Sequence, residues 1–298
     1  MTKVRMHEYA STHPVPKVRM RKCACMTIGI GLVCSGGKNI LLAADTRASY
    51  GVVTSNDQTA KLYDLPSNYC AAVAGTLNQC ADVVAELYHR MSQVTEPEIA
   101  PELTRRCVLE SYDQVFKPMA DEALRNGPRI TLDEYKHDKK LSPPIRRHAR
   151  EVLNKIEIDV DLIVGGFYKG QPVQFVAEGG TFVGIRSEVT PGNAVIGTGS
   201  IAALNWLNYR KQNVHFGLAH SLLHLTEAKQ FAETEHTVGS SRGAILLWSG
   251  AYKALDWSDE VQALTQGWWN RYGLPLSDGL ENETHNESIR KMFGVPTP

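Results

Sequence analysis

No apolar run in this chain approaches the ~18 residues that a membrane-spanning helix needs, so a membrane is not an expected partner. There is no charge imbalance either: 32 Lys and Arg stand against 32 Asp and Glu. The total therefore gives no reason to expect nucleic acid as a partner. Residues 1–26 lack the apolar core that a secretory signal carries. They hold Lys3, Arg5, Lys17, Arg19, Arg21 and Lys22 against a single acid, Glu8. A disordered or removable leader is expected there, with an organellar address as the weaker reading. The six cysteines show no spaced ligand pairs, and Cys23-x-Cys25 is too short to claim zinc. With no export signal they are expected to be reduced and mostly buried, in a cytoplasmic protein. His220-x-x-x-His224 has no Glu after its first histidine and no evident third ligand, which favours a plain helix pair. Gly165-Gly166 and Gly179-Gly180 lack the spacing and lysine of a phosphate loop, and the Asn282 and Asn286 sequons carry little without secretion. No metal, no organic cofactor and no internal repeat is expected.

What is present begins after residue 26. Thr27 to Val33 alternates small or polar residues with Ile28, Ile30 and Leu32, the period of a strand. Ser35-Gly36-Gly37-Lys38-Asn39 is turn chemistry. Ile40 to Ala44 is a continuous apolar run, as in a strand covered on both faces. Together they predict a hairpin whose far ends bring Thr27 and Asp45 close. Short strands are expected at 51–54 and from Ala60, and a longer one at 69–74. A helix is predicted over 77–91, with Val83, Val84, Leu87 and Tyr88 on one side, and a second over 100–124. The charged stretch at about 126–159, with Pro143-Pro144, reads as a solvated insertion or helical arm, or as a docking element for a neighbouring subunit. Strands are expected again at 160–167, 172–177 and 243–248, and helices at 200–211 and 216–234. Trp257, Trp268 and Trp269 are expected in one outer helix of a C-terminal extension, 251–298, with 27–250 as the main domain. Strand-rich ends around helical stretches predict an α+β fold of sheets sandwiched by helices.

Taken in order, Thr27-Ile28-Gly29-Ile30-Gly31-Leu32-Val33-Cys34, Leu42-Ala43-Ala44-Asp45-Thr46-Arg47-Ala48-Ser49, Lys61-Leu62-Tyr63 and Ala74-Gly75-Thr76 resemble the β-type subunits of the proteasome family, in a bacterial-type or divergent form. These are N-terminal-nucleophile threonine peptidases. Gly197-Thr198-Gly199-Ser200 extends the likeness more loosely. The resemblance implies a four-layer αββα sandwich, the N-terminal-nucleophile hydrolase fold. It places Thr27 as nucleophile, Asp45 and Lys61 as the carboxylate and lysine beside it, and Gly75 as a backbone oxyanion donor. Thr198 falls where the family usually has serine. Glu235 supplies a further carboxylate if Gly239 aligns with a family glycine. If Gly243 is the anchor instead, Val238 falls there and that carboxylate is lost. Arg47, Ala48, Ser49, Thr59, Tyr63, Val73 and Leu77 match substrate-side positions, mostly small or apolar, which implies cleavage after apolar or aromatic residues. Polypeptide substrates, a homo-oligomeric ring and an ATP-dependent unfoldase are the implied partners.

The chemistry fits these residue types. A threonine hydroxyl attacks only when a base takes its proton, and a free α-amino group, with a reference pKa of about 7.7–8.0, can serve. That requires Thr27 to be the first residue. An ammonium from Lys61, held by Asp45, favours the neutral amine. The Gly75 N–H then contributes roughly 3 kcal/mol to the tetrahedral oxyanion. Met26 stands where the family commonly has glycine, and its bulk opposes self-cleavage. The residue order leaves three outcomes open: a slowly cut leader, initiation at Met26 with loss of that methionine, or an inactive chain. The alternatives to an endopeptidase are a non-catalytic ring subunit that keeps its leader and an amidohydrolase of small amides on the same fold.

Overall fold

A computed structural model describes residues 27–45, 48–50, 53–56, 60–181, 183–189, 192–234, 238, 242–249, 251–256, 259–272 and 287–291. The expected hairpin opens it. Strand β1 (Ile28–Cys34) turns through Ser35–Gly37 into β2 (Asn39–Asp45), with Gly29 opposite Ala44 and Cys34 opposite Asn39. Both strands are buried along their whole length, which is why one of them reads as an unbroken apolar run. The chain continues through β3 (Ala48–Tyr50), β4 (Val53–Asn56), β5 (Leu62–Leu65), β6 (Tyr69–Gly75), α1 (Leu77–Ser92) and α2 (Pro101–Asn126). After α3 (Leu132–His137) and α4 (Pro143–Leu153) come β7 (Ile158–Tyr168), β8 (Gln171–Gly180), β9 (Gly184–Ser187) and β10 (Asn193–Gly197). Next come α5 (Ser200–Tyr209), α6 (Leu218–Ala232), β11 (Arg242–Trp248), β12 (Ala251–Asp256) and α7 (Asp259–Tyr272), and a short helical turn follows at 287–291.

The strands form two antiparallel five-stranded sheets, ordered β10-β1-β2-β11-β12 and β5-β6-β7-β8-β9, and a separate β3–β4 ribbon. The molecule is thus mixed α+β. The period of two in β1 explains how the layers meet. Ile28, Ile30 and Leu32 point to one side, where they pack with Leu222 and Leu225 of α6 and with Val261 and Trp268 of α7. Gly29 and Gly31 point to the other, leaving room for Ala72 and Ile163 of the second sheet. There Ile40 and Leu42 join Ala72, Ile163 and Val176 in an apolar layer drawn from both sheets. The far face of the second sheet, through Val73, Leu162 and Val164, is covered by Val83 and Leu87 of α1 and Val108 and Tyr112 of α2. The α1 stripe runs Cys80, Val83, Val84, Leu87, Met91, whereas Tyr88 is half exposed, one helical step past the stripe and onto the solvent side.

The charged stretch after α2 is a helical arm. Thr131 opens α3 with a reciprocal capping box: its hydroxyl accepts from Glu134 N at 3.1 Å, and its own N–H donates to Glu134 Oε2 at 2.6 Å. Ile130, Leu132, Tyr135, Ala149 and Leu153 then pack on Leu124 at the end of α2, so the arm carries its own small apolar cluster. Strand β12 is paired to β11 at the edge of the first sheet, and Val261, Trp268 and Ile289 are buried with α6 residues. Trp257 and the side chain of Trp269 lie outside the described residues. Among the described residues, no helix is long and apolar enough to cross a membrane. Cys34, Cys70, Cys80 and Cys107 are buried free thiols, and burial pushes the Cys70 thiol strongly up. Cys23 and Cys25 lie outside the described residues.

Helix α6 is buried along almost its whole length, so its polar groups must find partners inside. His224 is held through Nδ1 to Gln212 Oε1 at 2.7 Å, and Gln212 Nε2 donates to Ser221 Oγ at 3.2 Å. Desolvation, then the nearby His220 and Arg210, lower its pKa from 6.5 to about 3. A histidine kept neutral in the fold binds its proton in the unfolded chain first. Stability is therefore full above pH 6.5 and declines as pH falls from there toward 3. The expected decline from this group is about 1.4 kcal/mol per pH unit. Denaturant unfolding of wild type and His224→Gln between these limits checks it: the variant's stability should fall less steeply with acid.

Candidate active site

Two sheet pairings build the site. The β1–β2 register sets Asp45 beside the start of β1, and β10 pairs with β1 so that Gly197 lies opposite Ile28. The residue after Gly197 is Thr198. Its Oγ1 accepts from the backbone N–H of Thr27 at 3.2 Å and donates to the Thr27 carbonyl at 3.3 Å. Close approach is possible because Gly197 has φ +87° and a Cβ there would sit 2.3 Å from the Thr27 carbonyl oxygen.

The Thr27 hydroxyl donates to Asp45 Oδ1 and accepts from Lys61 Nζ. The same Asp45 oxygen also accepts from the N–H of Ile28 at 3.0 Å and from Lys61 Nζ at 2.9 Å. Thr27 is 1 % exposed, Asp45 0 % and Lys61 6 %. A buried ion pair thus closes on one hydroxyl, in surroundings where a lone charge could not persist. Lys61 reaches the hydroxyl from the segment just before β5, which pairs with β6, and β6 ends at Gly75.

Around this cluster is a narrow cavity of about 10 Å³, room for roughly one water. Thr27, Lys61, Val73, Ala74 and Gly75 line it from the strands, and Leu77 and Cys80 from the first turn of α1. Gly75 has φ +127°, and a Cβ on it would lie 2.0 Å from the Asp159 carbonyl oxygen, so only glycine lets β6 end there. The turn that follows is fixed by Thr76, whose N–H donates to the Asp159 carbonyl at 2.7 Å and whose hydroxyl donates to Asp159 Oδ2 at 2.9 Å.

The residues singled out in the sequence divide as follows. Thr27, Asp45, Lys61 and Thr198 converge by direct hydrogen bonds, and Gly75, Val73 and Leu77 line the same cavity. Tyr63 is half-buried on β5 with its hydroxyl on the Ala60 carbonyl at 2.9 Å, and burial raises its pKa. Ala48 and Ser49 lie in β3, paired with β4. Arg47, Thr59 and Glu235 lie outside the described residues. Cys80 and Asp159 were not anticipated. Cys80 could have been found, since it sits one helical turn from Leu77 and faces the same way. Asp159 could not, because nothing local ties it to Thr76. Among the described residues, no group of three or more His, Cys, Asp or Glu side chains could hold a metal ion.

Chemically, the arrangement holds one hydroxyl between a hydrogen-bond donor of positive charge and an acceptor of negative charge. Neither partner is placed to leave: Asp45 is anchored by the Ile28 N–H as well as by Lys61. Such a group can act as a nucleophile once its proton has somewhere to go. The scan against family models finds no match to this chain, and no curated protein matches its sequence.

Proposed function

We propose that this chain is a threonine-type endopeptidase of proteasome-like class, built on a four-layer αββα sandwich of the N-terminal-nucleophile kind and working within a homo-oligomeric ring. The observation that carries this reading is the Thr27 hydroxyl bonded at once to Lys61 Nζ and Asp45 Oδ1 in a buried site. The layer reading is supported by three apolar clusters in sequence: α6 and α7 with the first sheet, the two sheets with each other, and the second sheet with α1 and α2.

In this reading, release of the chain before Thr27 frees its α-amine. The amine takes the Thr27 Oγ1 proton as Oγ1 attacks a peptide carbonyl. Lys61, beside the oxygen, favours both the neutral amine and the developing alkoxide. Thr198, already bonded to the Thr27 nitrogen and carbonyl, holds that residue in line. The Gly75 N–H stabilises the tetrahedral oxyanion, the amine then protonates the leaving nitrogen, and water resolves the ester. Val73 and Leu77 give the acceptor wall an apolar character that suits an apolar or aromatic residue before the cut. The ring supplies confinement, so that unfolded polypeptide delivered by an ATP-dependent unfoldase is the substrate.

The test is the intact mass and amino-terminal sequence of the purified protein, read with turnover of fluorogenic peptides and of small amides. A species that begins at Thr27 and cleaves peptides is expected. A stable, inactive chain that keeps residues before Thr27 would instead indicate a scaffold subunit. Turnover of small amides alone would indicate an amidohydrolase.

A further inference from the structure

Away from Thr27, a cavity of about 420 Å³ opens between α5, α6 and α7, within the size range of small-molecule sites. Its aromatic wall is Trp206 and Phe231, stacked with centroids 4.1 Å apart and planes 18° from parallel. Phe231 is 45 % exposed, which is unusual for a ring so placed. Thr226, Thr234 and Thr265 also line the space, but their hydroxyls donate back to the carbonyls of Leu222, Phe231 and Val261 at 2.8, 2.7 and 2.8 Å. With those hydroxyls occupied, the threonines offer the cavity little beyond apolar surface.

Among the described residues that line the cavity, one carries a charge. Glu227, 5 % exposed, is its carboxylate, and among the described residues no lysine or arginine lines the cavity. Glu227 Oε2 accepts from Trp206 Nε1 at 2.9 Å and from Arg210 Nε at 2.7 Å, while Oε1 accepts only from Arg210 Nη2. Oε1 therefore keeps a lone pair for a further donor. The Arg210 donors that face this carboxylate are already used on it, so they are not offered to an anion. Arg210 balances the Glu227 charge and its guanidinium lies 5.3 Å over the Trp206 ring, so what is left for a ligand is the spare Glu227 lone pair and the exposed Phe231 ring, both of which favour a positively charged hydrogen-bond donor.

We propose that this cavity is a binding site for a small organic ammonium ion with a flat apolar body. The ring of the ligand lies along Phe231, and its ammonium donates to Glu227 Oε1. An anion of the same shape is rejected, because it meets a carboxylate and no free cationic donor.

The full chain, isotopically labelled, tests this through the indole N–H signal of Trp206, assigned with Trp206→Phe. Phenethylammonium is expected to shift that signal saturably at millimolar concentration. Phenylacetate and 2-phenylethanol are expected to bind at least roughly threefold more weakly. Thr234→Trp, at an exposed position on the cavity rim, should fill the site and abolish the shift while the rest of the spectrum stays folded. Glu227→Gln should erase the preference for the ammonium over the alcohol. Equal binding of phenylacetate, no shift with phenethylammonium, or unchanged binding in a folded Thr234→Trp chain would each overturn the assignment.

Discussion

Thr27→Ala is expected to remove peptide hydrolysis by at least about 10³-fold while the protein still folds, melting moderately below wild type. The activity loss follows from the proposed reaction: without Oγ1 there is no atom to form the acyl ester. The Thr198 hydroxyl does not replace it, since it is bonded to the Thr27 backbone. That the variant still folds follows from what stays behind. Asp45 Oδ1 keeps the Ile28 N–H and Lys61 Nζ when the hydroxyl is gone, so no buried charge is orphaned. The hydroxyl's two hydrogen bonds, both to charged groups, are lost, at an expected cost of about 2–3 kcal/mol in all. Turnover of a fluorogenic peptide and a thermal melt on the same preparation check both halves. Full turnover in a folded Thr27→Ala chain would sink the nucleophile assignment.

The contrast between these four groups also shows what a sequence can and cannot carry. The hairpin that presents Thr27 and Asp45 was readable because everything needed is local: a period of two, a Ser-Gly-Gly turn and an apolar run. Helices α1, α2, α5 and α6 were readable for the same reason. Strands β3, β9, β10 and β12 were not, since segments of three to six residues at sheet margins owe their form to their neighbours. That gap touches the site directly. Thr198 reaches Thr27 only because β10 pairs with β1 across a long loop of sequence, and no pattern in Asn193–Gly197 announces that partner. Asp159, which holds the turn after Gly75, is likewise placed by the β6–β7 pairing alone. In the charged insertion, the apolar residues that seat the arm on α2 are scattered singly among Lys and Arg. Their shared cluster exists only once α3 and α4 fold back.

Lys61→Met is the opposite case from Thr27→Ala, and it separates folding from chemistry. Removing the ammonium takes from Asp45, fully buried, the Lys61 cation that lies 2.9 Å from it. Breaking one side of a buried pair costs about 3–5 kcal/mol, so this variant is expected to melt well below wild type. Activity should fall as well, by about 10²–10³-fold or more, because the cation beside Oγ1 is gone. Either loss alone is ambiguous, since an unstable enzyme is also a poor one. Adding Asp45→Asn resolves it. The double variant no longer buries a carboxylate deprived of the Lys61 cation, so part of the stability should return, with a coupling of roughly 2 kcal/mol between the two positions. Turnover should not return, because neutralising the pair restores neither the charge that favours the free amine nor the donor to Oγ1. A double variant that recovers stability and stays inactive assigns Lys61 to the reaction. If stability losses at the two positions simply add, the ion pair does not govern the fold at this site. If turnover returns with stability, Lys61 serves only to hold Asp45.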